Sequence, residues 1–386
     1  QAKRLQTRDE RPDILMASDS NADATSAQAL VVAASALHDA NWVIIGAGAG
    51  FSADSGLLTY EECRDAGVNY DALCRAELLY EEPAMFYSFW GGCTCRYRQT
   101  RPHEGYAIIA NLFADQARAG RAYIYTSNVD GHFRQLPSFP VCEIHGCCEE
   151  WMCSCKLAYA AAEHLREAPT STAHEVPAEG ERFHRVRAVQ QRLQATTTGG
   201  RACPGGVVSP PLTWSIKLSG TSPHVQLDEG WLDSPSPVAV DVNVDWDSMP
   251  PRCCCGLPLR PSVLMFADED AALVRHLARG AAAYQHWEDA MEAQLEAHGG
   301  HLVILELGVG KRVPAVRDEC EAVLRDVSSK GGRATLIRIN PDLDVGHIAC
   351  RTGAEMRDGQ SLTVHLALPA LEALRELEKI CVDQQR

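Results

Sequence analysis

The chain has 386 residues, 46% of them hydrophobic, enough to bury one or two substantial cores. Its formal charge of -15 argues against a general affinity for the nucleic-acid backbone, though it suits basic peptide partners. No stretch approaches the ~20 uninterrupted apolar residues of a membrane span. The first residues (Gln-Ala-Lys-Arg-Leu-Gln-Thr-Arg) have no apolar signal-peptide core, so a cytoplasmic or nuclear protein without membrane contact is expected.

In chain order, Asn21 to Asp39 is rich in Ala and Leu and predicts a helix leading into an apolar strand, Trp42 to Ile45. That strand runs into Gly48-Ala-Gly-Phe-Ser-Ala-Asp-Ser-Gly-Leu-Leu-Thr-Tyr60. Glycines and small hydroxyl residues after a strand let backbone approach a diphosphate, although many turns carry glycine for packing alone. Helices are predicted at Pro83 to Trp90 and Glu104 to Ala119, then a strand at Ala122 to Tyr125 and a short strand ending at Ile144. The C-terminal third predicts strand Leu302 to Leu307, helix Pro314 to Val327, strand Thr335 to Ile339 and helix Pro369 to Ile380. Strands alternating with helices indicate a doubly wound α/β fold around a parallel sheet.

Residues 170–251 differ, being rich in Pro, Gly, Ser and Thr. They read as an insertion, loop-rich or disordered, with a helix of uncertain status at Phe183 to Leu193. Trp214, Trp231 and Trp246 offer the alternative that the insertion packs on the surface. Sixteen cysteines without a secretion signal suit metal ligands and free thiols better than a disulfide framework. They cluster at 142–155 and 253–255, which suggests one site assembled from both.

Chemistry-bearing residues fall at strand ends. Ala122 to Asp130 delivers Asn128 and Asp130 to the end of a strand, where ligands sit in open α/β sheets; a turn capped by the two is the plainer reading. His145 and Gly146 close the next strand, just before the first cysteine cluster, a suitable place for a general base. Glu306, just before Gly308, is placed to contact a ribose, though a solvated strand-end carboxylate is the plainer reading, and His103, Glu104 and Tyr106 read as helix-start residues.

In this order the pieces resemble the sirtuins, the NAD-dependent protein deacylases. Their first motif, Gly-Ala-Gly-x-Ser-x-x-Ser/Ala-Gly-Ile-Pro-Asp-Phe-Arg, is matched by Gly48, Ala49, Gly50, Ser52, Ser55 and Gly56. Thr-Gln-Asn-Ile-Asp is matched by Thr126, Asn128, Val129 and Asp130, with Ser127 replacing Gln. His-Gly is matched by His145 and Gly146, and Cys255 to Asp268 is similar to the segment after the last zinc cysteine. Gly308-Val-Gly310 takes the place of Gly-Thr-Ser, and Ile339-Asn340 resembles the Ile-Asn pair at the adenine ribose. The resemblance runs from about Ala29 to Ile380, the insertion excepted.

The resemblance implies a Rossmann-like domain from residues 23–146 and 262–386, a small zinc module from 147–169 and 252–261, and an N-terminal tail of residues 1–22. It further implies attack of an acyl-lysine oxygen on the nicotinamide ribose of NAD, with His145 as base on a ribose hydroxyl. Asp130 would hold the carboxamide, and Asn128, a catalytic residue, would sit against the ribose. Ala49, Gly50 and Ser52 would line the diphosphate, and Gly308, Gly310 and Asn340 the adenosine end. Cys153, Cys155, Cys253 and Cys255 would hold a structural zinc, with one-residue spacings where the family has two.

The departure with most bearing on the chemistry lies in the first motif. Leu58-Thr59-Tyr60-Glu61 stands where sirtuins carry Pro-Asp-Phe-Arg. Tyr60 keeps the aromatic, the carboxylate is lost at Thr59, and Glu61 replaces the arginine, so Arg64 is expected to supply the cation from a shifted register. A Tyr at the end of this loop is also similar to the macrodomain-linked, ADP-ribosyl-transferring sirtuins, which typically lack the catalytic His present here. Protein ADP-ribosyl transfer, NAD hydrolysis and a non-catalytic nucleotide sensor therefore stand beside deacylation as readings of the same site.

Overall fold

The computed structural model describes residues 19–65, 68–154, 207–208, 257–268, 270–341 and 361–384. The predicted insertion and its helix, apart from residues 207 and 208, lie outside them.

Six strands form one sheet: β1 (Trp42–Ala47), β2 (Ala122–Thr126), β3 (Val141–Glu143), β7 (His301–Leu307), β8 (Arg333–Ile339) and β9 (Ser361–Leu366). Their order is β3-β2-β1-β7-β8-β9, and every neighbouring pair is parallel. Counted within the sheet this is 3-2-1-4-5-6, the Rossmann order, whose direction reverses between β1 and β7. The central strands are buried on both faces, which is why Val43-Ile-Ile45 and Leu302 to Leu305 read as unbroken apolar runs.

Alternate residues of those runs enter opposite cores. Val43, Ile45, Val303 and Leu305 pack with α1 (Asp19–His38), α7 (Gly105–Leu112) and α11 (Ala370–Gln384). Ile44, Leu302, Ile304 and Leu336 pack with α9 (Ala271–His298) and α10 (Ala315–Ser329). In α10 the buried positions Val316, Cys320, Val323 and Val327 follow a helical period and form its sheet-facing stripe.

A second sheet has the order β5-β4-β6, from β4 (Gly146–Cys153), β5 (Val207–Val208) and β6 (Leu259–Val263), all antiparallel. It shares a core with α5 (Leu78–Glu81) and α6 (Pro83–Gln99), where Phe86, Tyr87, Trp90 and Trp151 are buried. Arg260 of β6 is fully buried; it donates to Asp268 and to the Val263 carbonyl, the latter at 2.8 Å. Asp270 then caps α9 through the Ala272 and Leu273 N–H groups, so the chain passes from the small sheet to the large domain through a buried charge cluster.

The elements differ from the sequence reading in three places. The helix expected over Glu104 to Ala119 breaks at Phe113 into α7 and α8 (Ala114–Arg118), with Phe113 buried at the corner. The helix begun at Pro83 runs on to Gln99. Strands β4, β6 and β9 and the 28-residue α9 are additional to the elements read from sequence.

Candidate functional site

A cavity of about 930 Å³ opens at the C-terminal ends of β1, β2 and β7, at the reversal point of the sheet, and extends towards the second sheet. Gly48, Ala49, Gly50, Ser52, Asn128, Asp130, His145, Gly308, Gly310 and Asn340 all contribute to its wall, although they come from five stretches of chain.

The floor is built by close backbone contact across the reversal point. Gly48 N–H donates to Leu307 O at 3.0 Å, Gly50 N–H to Gly308 O at 3.0 Å, and Gly308 N–H to Ile339 O at 2.9 Å. Gly308 has a φ of 57°, and a Cβ there would lie 2.2 Å from Phe51 N, so only glycine fits. The N–H of Gly50 is thus already spent on the protein, and a bound anion would meet the start of α2 (Ala49–Ala53) at Ala49 rather than at both glycines.

Three side chains lock together at the end of β2. Ser52 Oγ donates to Asp130 Oδ2 at 2.5 Å, and Asn128 Nδ2 donates to Ser52 Oγ at 3.0 Å. Asp130 Oδ1 accepts the His132 N–H at 2.8 Å. Thr126 sets the turn, its Oγ1 donating to Ala47 O and accepting from Asn128 N–H. All of Ser52, Asn128 and Asp130 are buried, yet Asn128 Oδ1 has no partner, an orphaned acceptor in a cavity wall.

His145 sits half-buried between β3 and β4. Its carbonyl accepts Leu264 N–H at 2.9 Å, and Gly146 follows at φ 80°, where a Cβ would meet Ser262 O at 1.9 Å. Gly146 therefore lets β6 close on the histidine. Burial lowers the imidazole pKa below its ordinary value, against an opposing hydrogen bond with the Ser127 backbone, so the ring is neutral and able to accept a proton at neutral pH.

Ser55 and Gly56 fall off the cavity wall. Ser55 Oγ accepts His103 N–H at 3.0 Å, and the Gly56 carbonyl accepts Arg96 Nη2 at 3.2 Å. His103 does serve as helix-start structure: its Nδ1 accepts Gly105 N–H, and its Nε2 donates to Phe51 O at 2.9 Å. Tyr60 begins α3 (Tyr60–Asp65), but its side chain and that of Arg64 lie outside what the structure describes. Thr59 caps α3 reciprocally with Glu62: Thr59 N–H donates to Glu62 Oε2 at 2.7 Å and Glu62 N–H to Thr59 Oγ1 at 3.2 Å. Glu61 lines the cavity, as do two guanidinium groups that the sequence reading did not single out, Arg96 and Arg312.

Glu306 is the clearest correction. It is fully buried, not solvated, and binds Arg338 of the adjacent strand at 2.7 and 2.9 Å and Arg317 of α10 at 3.3 Å. Of the four expected metal ligands, Cys153 is buried in β4, while Cys155, Cys253 and Cys255 lie outside the described residues. Among the described residues no group of three or more His, Cys, Asp or Glu is arranged to hold a metal, and none of the cysteines is in a disulfide.

A parallel sheet in Rossmann order, with a glycine-lined cavity at its reversal point, defines a Rossmann-like α/β protein. More particularly, the chain belongs to the Sir2 family, whose sequence model matches residues 48–286, more than half of its length. It is similar to NAD-dependent protein deacylase 2 of Pseudomonas aeruginosa, with 29% identity over 30% of this chain and 48% of that protein. It is 30% identical to NAD-dependent protein deacylase 4 of Pseudomonas syringae pv. tomato, over 48% of this chain and 69% of that protein. The chain spans about half the length of the first curated relatives it matches. A solved complex of a Sir2 homolog with NAD aligns over 92% of this chain and 94% of that one, at 15% identity and a TM-score of 0.47.

Proposed function

We propose that the protein is an NAD-dependent protein-lysine deacylase that releases nicotinamide and O-acyl-ADP-ribose. One observation carries the reading: Ser52, Asn128, Asp130 and a neutral, half-buried His145 converge on one cavity at the reversal point of the sheet, and the wall holds the buried, unpaired carbonyl oxygen of Asn128. The residues fit NAD. Gly48, Gly50 and Gly308 let the turns after β1 and β7 pack backbone to backbone under the cavity, space beside Gly310 is open, and Arg96 and Arg312 supply positive charge in the wall.

When bound, NAD supplies an electrophilic ribose carbon with nicotinamide as leaving group. The protein's part is to orient and to move a proton. Asp130, fixed by Ser52 and by the His132 N–H, would hold the carboxamide, and Asn128 the ribose. His145 would take a proton from a ribose hydroxyl, for which its lowered pKa keeps the base form available. Gly308, Gly310 and Asn340 would take the adenosine end. The acyl-lysine peptide would enter between the second sheet and the residues after β6, where Leu264 and Phe266 are exposed on the cavity wall.

Incubation with NAD and an acyl-peptide library, read by mass spectrometry, tests the proposal; peptides left acylated while NAD still binds would refute it. A second reading, ADP-ribosyl transfer to protein, is favoured by Glu61, a carboxylate on the wall where the family resemblance places an arginine. It predicts that H145A modifies protein with ADP-ribose at full rate. The small sheet supports a structural zinc held by Cys153, Cys155, Cys253 and Cys255, since Cys153 pairs in the ladder with Leu259, four residues after Cys255. Metal analysis of the purified protein and of C153S checks that assignment.

A further inference from the structure

The Glu306 cluster lies directly beneath the turn expected to hold adenosine. Glu306 and Arg338 face each other across the β7–β8 ladder, and α10 adds Arg317 and Glu321 from above. Arg338 Nη2 also donates to Glu321 Oε1 at 2.9 Å, so the two guanidiniums meet the buried Glu306 carboxylate and the exposed Glu321 carboxylate at the rim of the cluster. Arg317 does one thing more: its Nη2 donates to Val309 O at 2.8 Å. The same oxygen accepts Asn340 Nδ2 at 3.0 Å, and the neighbouring carbonyl, Gly308 O, accepts Gly50 N–H. Every carbonyl of residues 308 and 309 is thus drawn onto a protein donor.

Buried ion clusters are a poor route to stability, because desolvation offsets most of their attraction and apolar side chains of the same shape often do as well. The cluster is better understood through what it holds. Where sirtuins have Gly-Thr-Ser, this chain has Gly308-Val309-Gly310 and no side-chain hydroxyl to fix the turn or meet a ribose. Donors from beneath, carried on a strand and a helix, replace fixation from within the turn.

We infer that Arg317, held by Glu306, is a positioning residue that presets the 308–310 turn for the adenosine half of a dinucleotide; the inference rests on the NAD reading above. Arg317 touches no substrate itself. It acts through the Val309 carbonyl, and the buried Glu306–Arg338 pair stops its guanidinium from swinging away.

The test uses the full chain with R317M, which leaves Glu306 paired to Arg338, and a triple variant, E306L/R317M/R338M, which replaces the charges with apolar groups of similar size. ADP-ribose binding by calorimetry is expected to weaken about tenfold in R317M, the loss of one charge-assisted hydrogen bond. KM for NAD should rise to match while kcat stays within twofold, and amide exchange at residues 308–310 should quicken without ligand. The triple variant should stay folded and bind as weakly as R317M. Unchanged ADP-ribose affinity in folded R317M would overturn the inference, as would a fall in kcat at constant KM, or failure of both variants to fold. ADP-ribose that does not bind the unaltered protein would remove the NAD reading, and the inference with it. Unaltered protein that binds, beside a variant that binds equally well, removes the inference alone.

Discussion

The two ends of the cavity are held in different ways. At the β1–β7 end, the fixing bonds join residues far apart in sequence: Ser52 to Asp130, Asn128 to Ser52, Gly50 to Gly308, Arg338 to Glu306. At the loop end, Thr59 and Glu62 cap each other three residues apart and the Thr59 carbonyl accepts the Cys63 N–H, while longer ties come only at the loop's start, from Arg96 to the Gly56 carbonyl and from His103 N–H to Ser55. The first geometry exists only when the whole sheet is folded. The second is the more local of the two past Gly56, and it is there that the chain loses the carboxylate and the arginine that the family resemblance leads one to expect.

Five experiments would break or sharpen that contrast. The largest effect belongs to the fixed end: H145A should lower deacylation about a thousandfold with ADP-ribose binding intact, as for removal of a general base. In the unaltered enzyme the acid limb of kcat/KM should lie below pH 6.5, because burial favours the neutral ring and protonation must go further into acid to silence it. Next, G308A places a methyl 2.2 Å from backbone and should cost about 3 kcal/mol, read from denaturant titration. The corresponding change in the loop, T59A, removes only a cap and should cost about 1 kcal/mol. E61R, which restores the family's charge, should tighten ADP-ribose only several-fold, about 1 kcal/mol for an exposed charge. A loss at T59A as large as at G308A would show that the loop is part of the fixed architecture after all.

A buried acid elsewhere offers a control on the electrostatics. Glu288 of α9 lacks the arginines that serve Glu306. Burial, with the carboxylates of Glu319 and Glu292 nearby, pushes its pKa up to about 8. Since that exceeds its unfolded value of 4.5, its stabilising contribution is present in acid and fades as pH rises towards 8. E288Q should therefore raise the thermal midpoint at pH 8.5 and leave it unchanged at pH 4.5.

Much of this was legible from residue type. Apolar runs marked the central strands because both faces of a parallel sheet are covered, and Asn128, Asp130 and His145 stood out as polar residues at strand ends. Glu306 was misread because its partners lie 11 and 32 residues downstream, and nothing local announces a guanidinium above and beside it. Helix α9 was missed for a related reason: its buried face includes Tyr284 and Glu288, which blur the apolar stripe. In β4, cysteines occupy buried strand positions and drew attention to metal binding instead of to a sheet. Arg96 and Arg312 escaped notice because their place in the wall depends on how α6 and the turn after β7 converge.

The reciprocal cap of Thr59 and Glu62 has a thermodynamic side. Ordering a residue costs about 1–2 kcal/mol of conformational entropy. A loop that already starts a helical turn without ligand has met part of that cost before anything binds. A ligand that touched this loop would then freeze fewer residues, so an uncapped loop should show a more unfavourable binding entropy than the native one, with enthalpy compensating in part.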